Sequence, residues 1–237
     1  MVLLAGCRTD VDVAIAVRSD GAGTVTVTVD LDEAAAEQLG DPSGLAVADL
    51  TAAGWKLTGP TARRGGLRIV AVRTFGSPDQ LAAVLDEVGG TNGMFRSTSL
   101  ELEDGFASTS TRFRTDLHLS GTLAELSDPK LTELLGGLPL GRTPEELAAL
   151  GIDSPTAGRL TVSVELPGGV DGSNGRITGG VARWTAPLTG GTRTSRTLTA
   201  SASERRDGTL LLVGAGAVLL VVAVAVAAVT ARSRREP

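Results

Sequence analysis

Residues Leu210 to Val229 (LLLVGAGAVLLVVAVAVAAV) form an unbroken run of apolar and small side chains without a single charge. Twenty helical residues at about 1.5 Å of rise each cover roughly 30 Å, the thickness of a bilayer's hydrocarbon core. A backbone crossing lipid must satisfy its own hydrogen bonds, so the run reads as a transmembrane helix over 210–230. A core helix of that length in a small domain would carry a polar stripe, and this one has none. Arg232, Arg234 and Arg235 follow the run directly, whereas Glu204, Arg205, Arg206 and Asp207 before it cancel. Arginine and lysine stay on the cytoplasmic side, so 231–237 reads as a basic cytoplasmic tail and the bulk of the chain as extracytoplasmic. The expected location is the cell membrane, crossed once.

Charge and composition narrow the rest. The chain carries a formal net charge of −5 over 237 residues, and setting aside the tail's three arginines and one glutamate leaves −7. Nucleic-acid binders usually carry a basic patch, so no nucleic-acid partner is expected. One cysteine excludes an internal disulfide, and a single histidine, His118, leaves no material for a histidine-based triad. No GxSxG, HExxH or CxxC motif occurs. Asp10 and Asp12, like Asp30 and Asp32, are spaced two apart, but two carboxylates supply fewer oxygens than a metal ion requires. The expectation is a protein that is not an enzyme and holds no metal or cofactor.

The other end reads Met1-Val2-Leu3-Leu4-Ala5-Gly6-Cys7. Leu4, Ala5, Gly6 and Cys7 match the lipobox of bacterial lipoproteins: the small residues admit a signal peptidase, and the Cys7 sulfur takes the lipid. A secretory leader also has a basic region and a longer apolar stretch, so residues 1–7 read as the remnant of a signal peptide whose start lies upstream. The extracytoplasmic part would then be pinned twice, with membrane lipids as its first partners. A spanning helix anchors permanently and an acyl chain only marginally, so the lipid would orient more than retain.

Between the anchors, 8–203 reads as one domain and 204–209 as a linker. Val11, Val13, Ile15 and Val17, then Val25, Val27 and Val29, alternate with polar or small residues around Ser19–Gly23, which predicts a hairpin. Asp30 is expected to cap a helix over Leu31–Leu39, and a second short helix is expected over Leu45–Ala53. Leu67–Thr74 reads as a strand. Ser77-Pro78-Asp79-Gln80 is a helix start, with Leu81, Val84, Leu85 and Val88 on one face. Phe95–Glu103 and Phe106–Leu119 predict a second hairpin, with Phe113, Leu117 and Leu119 facing one way and Arg112, Arg114, Asp116 and His118 the other. Helix signals return at Asp128-Pro129 and Thr143–Glu146 around the apolar loop Gly136–Gly141, and strands close the domain at Leu160–Leu166, Val181–Thr185 and Arg196–Ala202. The expected class is α+β: a largely antiparallel, curved sheet of about eight strands with short helices packed on it, plus the C-terminal transmembrane helix.

This layout resembles the LppM-type lipoprotein domain of mycobacteria and other actinobacteria. The features that carry it are the lipobox at Cys7, the Val11–Val29 hairpin, the Leu31-Asp32-Glu33 helix opening and the Phe95–Leu119 hairpin. A late strand with Trp184, the Gly190-Gly191 turn, a final strand to Ser203, the membrane helix and the basic tail complete it. The resemblance implies an envelope lipoprotein whose exterior domain binds membrane lipids, a glycolipid of the phosphatidylinositol-mannoside kind. It brings no catalytic residues. Trp55, Trp184, Phe113, Leu138 and Leu140 are the candidate ligand-lining residues, with core packing as the competing reading of both tryptophans. Arg112 and Arg114 are candidate donors to a phosphate. The alternative function is an envelope scaffold or adhesion module that binds a protein partner.

Overall fold

The computed structural model describes residues 8–33, 35–36, 47–89, 93–106, 108–119, 158–188 and 193–205. The lipobox Leu4–Cys7, the loop with Leu138 and Leu140, the helix signals at 128–146 and the 210–230 run lie outside the described residues. No helix among the described residues is long and apolar enough to cross a membrane.

The valine alternation folds as read. Strands β1 (Thr9–Val17) and β2 (Gly23–Asp32) pair antiparallel, with Val13, Ile15, Val17 and Val25 buried. Helix α1 (Val47–Ala52) is followed by β3 (Lys56–Arg63) and β4 (Gly66–Phe75). Helix α2 (Pro78–Gly89) begins where the Ser-Pro-Asp-Gln signal lies and buries Leu81, Val84 and Leu85. The Gln80 carboxamide accepts the backbone N–H of Gly76 at 2.8 Å, which ties the incoming chain to the first turn. The second hairpin is β5 (Phe95–Asp104) with β6 (Ser108–Leu119). The closing elements are β7 (Gly158–Glu165), β8 (Gly172–Ser173), β9 (Arg176–Thr178), β10 (Val181–Pro187) and β11 (Thr194–Arg205).

Two sheets replace the single curved sheet that the sequence predicts. One has seven strands in the order β3-β4-β2-β1-β7-β10-β9, and the other has four in the order β5-β6-β11-β8. Neither is closed. The strands are antiparallel except β1 with β7, which run parallel from Thr9 opposite Gly158. Consecutive hairpins predict antiparallel neighbours; β7 instead takes the free edge of β1 after a long connection, as parallel pairing demands. One hydrophobic cluster draws on both sheets and α2: Val13, Val162 and Trp184 from the first sheet, Phe113 and Leu198 from the second, Leu81 from the helix. The core therefore sits between two layers.

Three local expectations are corrected. Asp30 caps no helix, because β2 continues through it; the cap is Asp32, whose Oδ1 accepts the Ala35 N–H at 2.8 Å. Strand β3 falls where the sequence offers no strand signal, since Gly59-Pro60 breaks its pattern and its residues are almost all exposed. It pairs with β4 across a register shift between Thr58 and Thr61, on a sheet edge, where proline is tolerated. Strand β11 runs to Arg205, two residues into the expected linker.

Candidate functional site

The face of the four-stranded sheet turned away from the core is polar. Along β6 the odd-numbered residues from Thr109 to Leu119 are buried, and the even-numbered ones point outward. This puts Arg112, Arg114, Asp116 and His118 in one outward row, as the alternation in the sequence predicts. The β6–β11 register sets Arg112 opposite Ser201, Arg114 opposite Thr199, Asp116 opposite Thr197 and His118 opposite Ser195. On the other side of β6, Glu101 lies opposite Arg112 and Ser99 opposite Arg114.

These residues line an open groove of about 430 Å³: Ser99, Glu101, Arg112, Arg114, Thr199 and Ser201, with Gly172 and Ser173 of β8 as one wall. Phe113 and Ala200 form the floor, their side chains turned into the core at 1% and 3% exposure. Three members of the row have partners within the sheet. Arg112 pairs with Glu103 at 2.7 Å, the Thr197 hydroxyl donates to Asp116 at 2.6 Å, and His118 Nδ1 and the Ser195 hydroxyl are hydrogen-bonded at 3.2 Å. The side chains of Arg114 and Glu101 have no hydrogen-bond or ion-pair partner among the described residues. An open groove that offers a guanidinium, a carboxylate and several hydroxyls is equipped for a ligand with both an anionic group and sugar-like hydroxyls.

Asn174, directly after β8, ties the β8 wall to both sheets. Asn174 Oδ1 accepts the Trp184 indole N–H at 2.9 Å and the Thr199 backbone N–H at 3.1 Å, and its Nδ2 donates to the Thr197 carbonyl at 2.7 Å. The Asn174 carbonyl also accepts from the Arg196 guanidinium at 2.8 Å. Asn174 thus closes the outer edge of β11 and links it to the seven-stranded sheet through Trp184. The Ser173 hydroxyl adds a bond to the Thr199 carbonyl at 2.9 Å.

The candidate lining residues are not brought together. Trp55 and Trp184 are core residues, 4% and 3% exposed, and line none of the grooves described here. Each buried indole N–H has an acceptor, Glu87 Oε2 at 2.9 Å for Trp55 and Asn174 for Trp184. Glu87 also pairs with Arg73 at 3.0 Å. Phe113 reaches a groove only as its floor. Sequence reasoning missed Thr199, Ser201 and the β8 wall, because their proximity to β6 depends on strand register across about 85 positions of chain, and it missed Ser99 and Glu101, whose places opposite Arg114 and Arg112 depend on a register shift within the β5–β6 hairpin.

Two further grooves border the seven-stranded sheet. One of about 290 Å³ is lined by Arg8, Asp10, Arg159 and Thr185, among others, and one of about 390 Å³ by Glu33, Arg63 and Leu67 with neighbouring glycines. One aspartate of each pair on β1 and β2 is held by arginine. Arg8 pairs with Asp10 at 2.9 Å, and Arg68 grips Asp30 through two bonds at 2.7 and 2.6 Å, joined by Arg63. The hydrogen bond from Arg68 is the largest cause that lowers the Asp30 carboxyl to a pKa of about 2.

No family model matches the chain, and no curated protein does. Among solved structures, the NMR structure of the folded domain of Mycobacterium tuberculosis LppM is similar to it at 15% sequence identity, with a TM-score of 0.42. The alignment covers 86% of this chain and 94% of that one.

Proposed function

We propose that the chain is a membrane-anchored extracytoplasmic lipoprotein whose β-rich domain binds the head of an envelope lipid or glycolipid without catalysis. The anchoring rests on the sequence: the apolar run at 210–229, the arginines after it and the lipobox at Cys7. The ligand class rests above all on Arg114, a guanidinium with no partner among the described residues, set in a groove with the hydroxyls of Ser99, Thr199 and Ser201. A phosphate on the ligand pairs with Arg114, and sugar or inositol hydroxyls meet the serines, the threonine and Glu101. The phosphatidylinositol-mannoside kind of head has both parts. With both tryptophans packed in the core, the reading places the head in a surface groove and leaves the acyl chains in the bilayer.

The alternative is an envelope scaffold that binds a protein partner through an open sheet edge or the Gly-rich loops. Of the sheet edges, the one at β3 is broken by Gly59-Pro60 and ends in Arg63, features that discourage strand addition there.

The test is native mass spectrometry of the full chain, released from membranes of its own host in mild detergent. The reading expects a co-purifying lipid mass, and titrated phosphatidylinositol that binds at least about 10-fold more weakly to the Arg114→Glu variant. No co-purified lipid together with no uptake of phosphatidylinositol would overturn it.

A further inference from the structure

Phe106 is 84% exposed, by far the most exposed large apolar side chain among the described residues. A single exposed apolar residue is ordinary. The position of this one is not. It lies at the tip of the β5–β6 hairpin, in a turn closed by the Gly105 N–H donating to the Ser108 carbonyl at 2.8 Å. Ser108, two residues on, pairs with Arg205 at the end of β11. Only residues 206–209 separate Arg205 from the apolar run at Leu210, five residue steps that span at most about 18 Å. The hairpin tip thus stands at the end of the sheet from which the chain departs toward its anchor.

We infer that Phe106 is a bilayer-contacting residue: its ring enters the interfacial layer of the membrane and sets the tilt of the domain above it. The inference rests on the anchored reading given above. The acids beside the tip do not block such a contact. Glu103 is held by Arg112 at 2.7 Å, and Asp104 accepts the Thr109 hydroxyl at 2.9 Å. Aromatic and aliphatic side chains on an otherwise polar surface enter the headgroup boundary in this way. The placement also gives the groove a height. Ser201, opposite Arg112, lies four strand residues before Arg205, about 13 Å at the rise of a β-strand. With Phe106 at the surface, the groove faces the layer into which a sugar-bearing lipid head projects.

The experiment uses the full chain in phosphatidylcholine vesicles whose lipids carry bromine high on the acyl chains. A Phe106→Trp variant adds one indole at the tip, and an Ile177→Trp variant adds one on β9, at a position 40% exposed. The native tryptophans are buried, so the added emission is read by difference from the parent. The expected result is at least about 2-fold quenching of the Phe106→Trp emission by brominated lipid, with the Ile177→Trp emission unchanged. Equal quenching at the two positions, or none at Phe106→Trp in vesicle-bound protein, overturns the inference and leaves the anchoring intact. If the full chain does not sediment with the vesicles, the anchored reading itself fails, and this inference with it.

Discussion

Asp30 shows how a residue read for one role takes another. The sequence offers it as a helix cap, because an aspartate before an Ala-rich stretch fits that pattern. In the fold it is a strand residue between Arg68 and Arg63, and Asp32 does the capping. Local spacing sets a helix start only to within a few residues; the length of β2 moved it by two. The carboxyl is held at about 2, below its ordinary 3.8, so the folded state binds its proton less readily than the unfolded chain does. Its contribution is therefore complete above pH 3.8 and lost as pH falls through about 2. With the carboxyl partly open to solvent, Arg68→Ala should cost about 1–2 kcal/mol at pH 7 and much less near pH 2. Urea unfolding at the two pH values measures the difference; an equal loss at both would contradict the pairing. Asn174→Ala should cost about 2–3 kcal/mol, since it strands the buried Trp184 indole N–H and the Thr199 N–H together. A shift in tryptophan emission should accompany it, because Trp184 is one of only two tryptophans.

Elements with strong periodicity were legible and elements without it were not. The hairpins β1–β2 and β5–β6 follow from alternation, and α2 from its proline-led start and the spacing of Leu81, Val84 and Leu85. Strand β3 was hidden because an exposed edge strand needs no apolar alternation and tolerates Gly59-Pro60. The short strands β8 and β9 were hidden in a Gly-rich stretch that reads as a loop. That stretch is tightly built at Gly175, where an added Cβ would lie 2.6 Å from the Trp184 ring and 2.8 Å from the Arg183 carbonyl. Gly175→Ala should push Trp184 and the Asn174 bracket apart, cost about 1–3 kcal/mol and weaken phosphatidylinositol binding through the displaced β8 wall. Thermal unfolding and titration check both effects; an alanine variant as stable as the parent would show that the wall yields freely. The outward row Arg112, Arg114, Asp116 and His118 could be read from β6 alone. Its partners Thr199 and Ser201 could not, because nothing in the order of residues sets which strand lies beside β6.

At the scale of the whole molecule, two layers of sheet share one core, and the polar groove occupies the outer side of the smaller layer. That sheet's long strand β11 is also the one that leads to the apolar run, so the groove and the run belong to one continuous segment of chain. The proposed function requires that run to lie in lipid. The direct measurement is an alkaline carbonate wash of membranes that hold the full chain with a Cys7→Ser substitution, which removes any acyl anchor. This protein is expected to stay in the pellet, and adding Val221→Arg and Val222→Arg is expected to move it to the wash, because each arginine at the bilayer centre costs about 2.5–3.5 kcal/mol. Recovery of the Cys7→Ser chain in the wash would contradict the anchoring and the functional reading built on it.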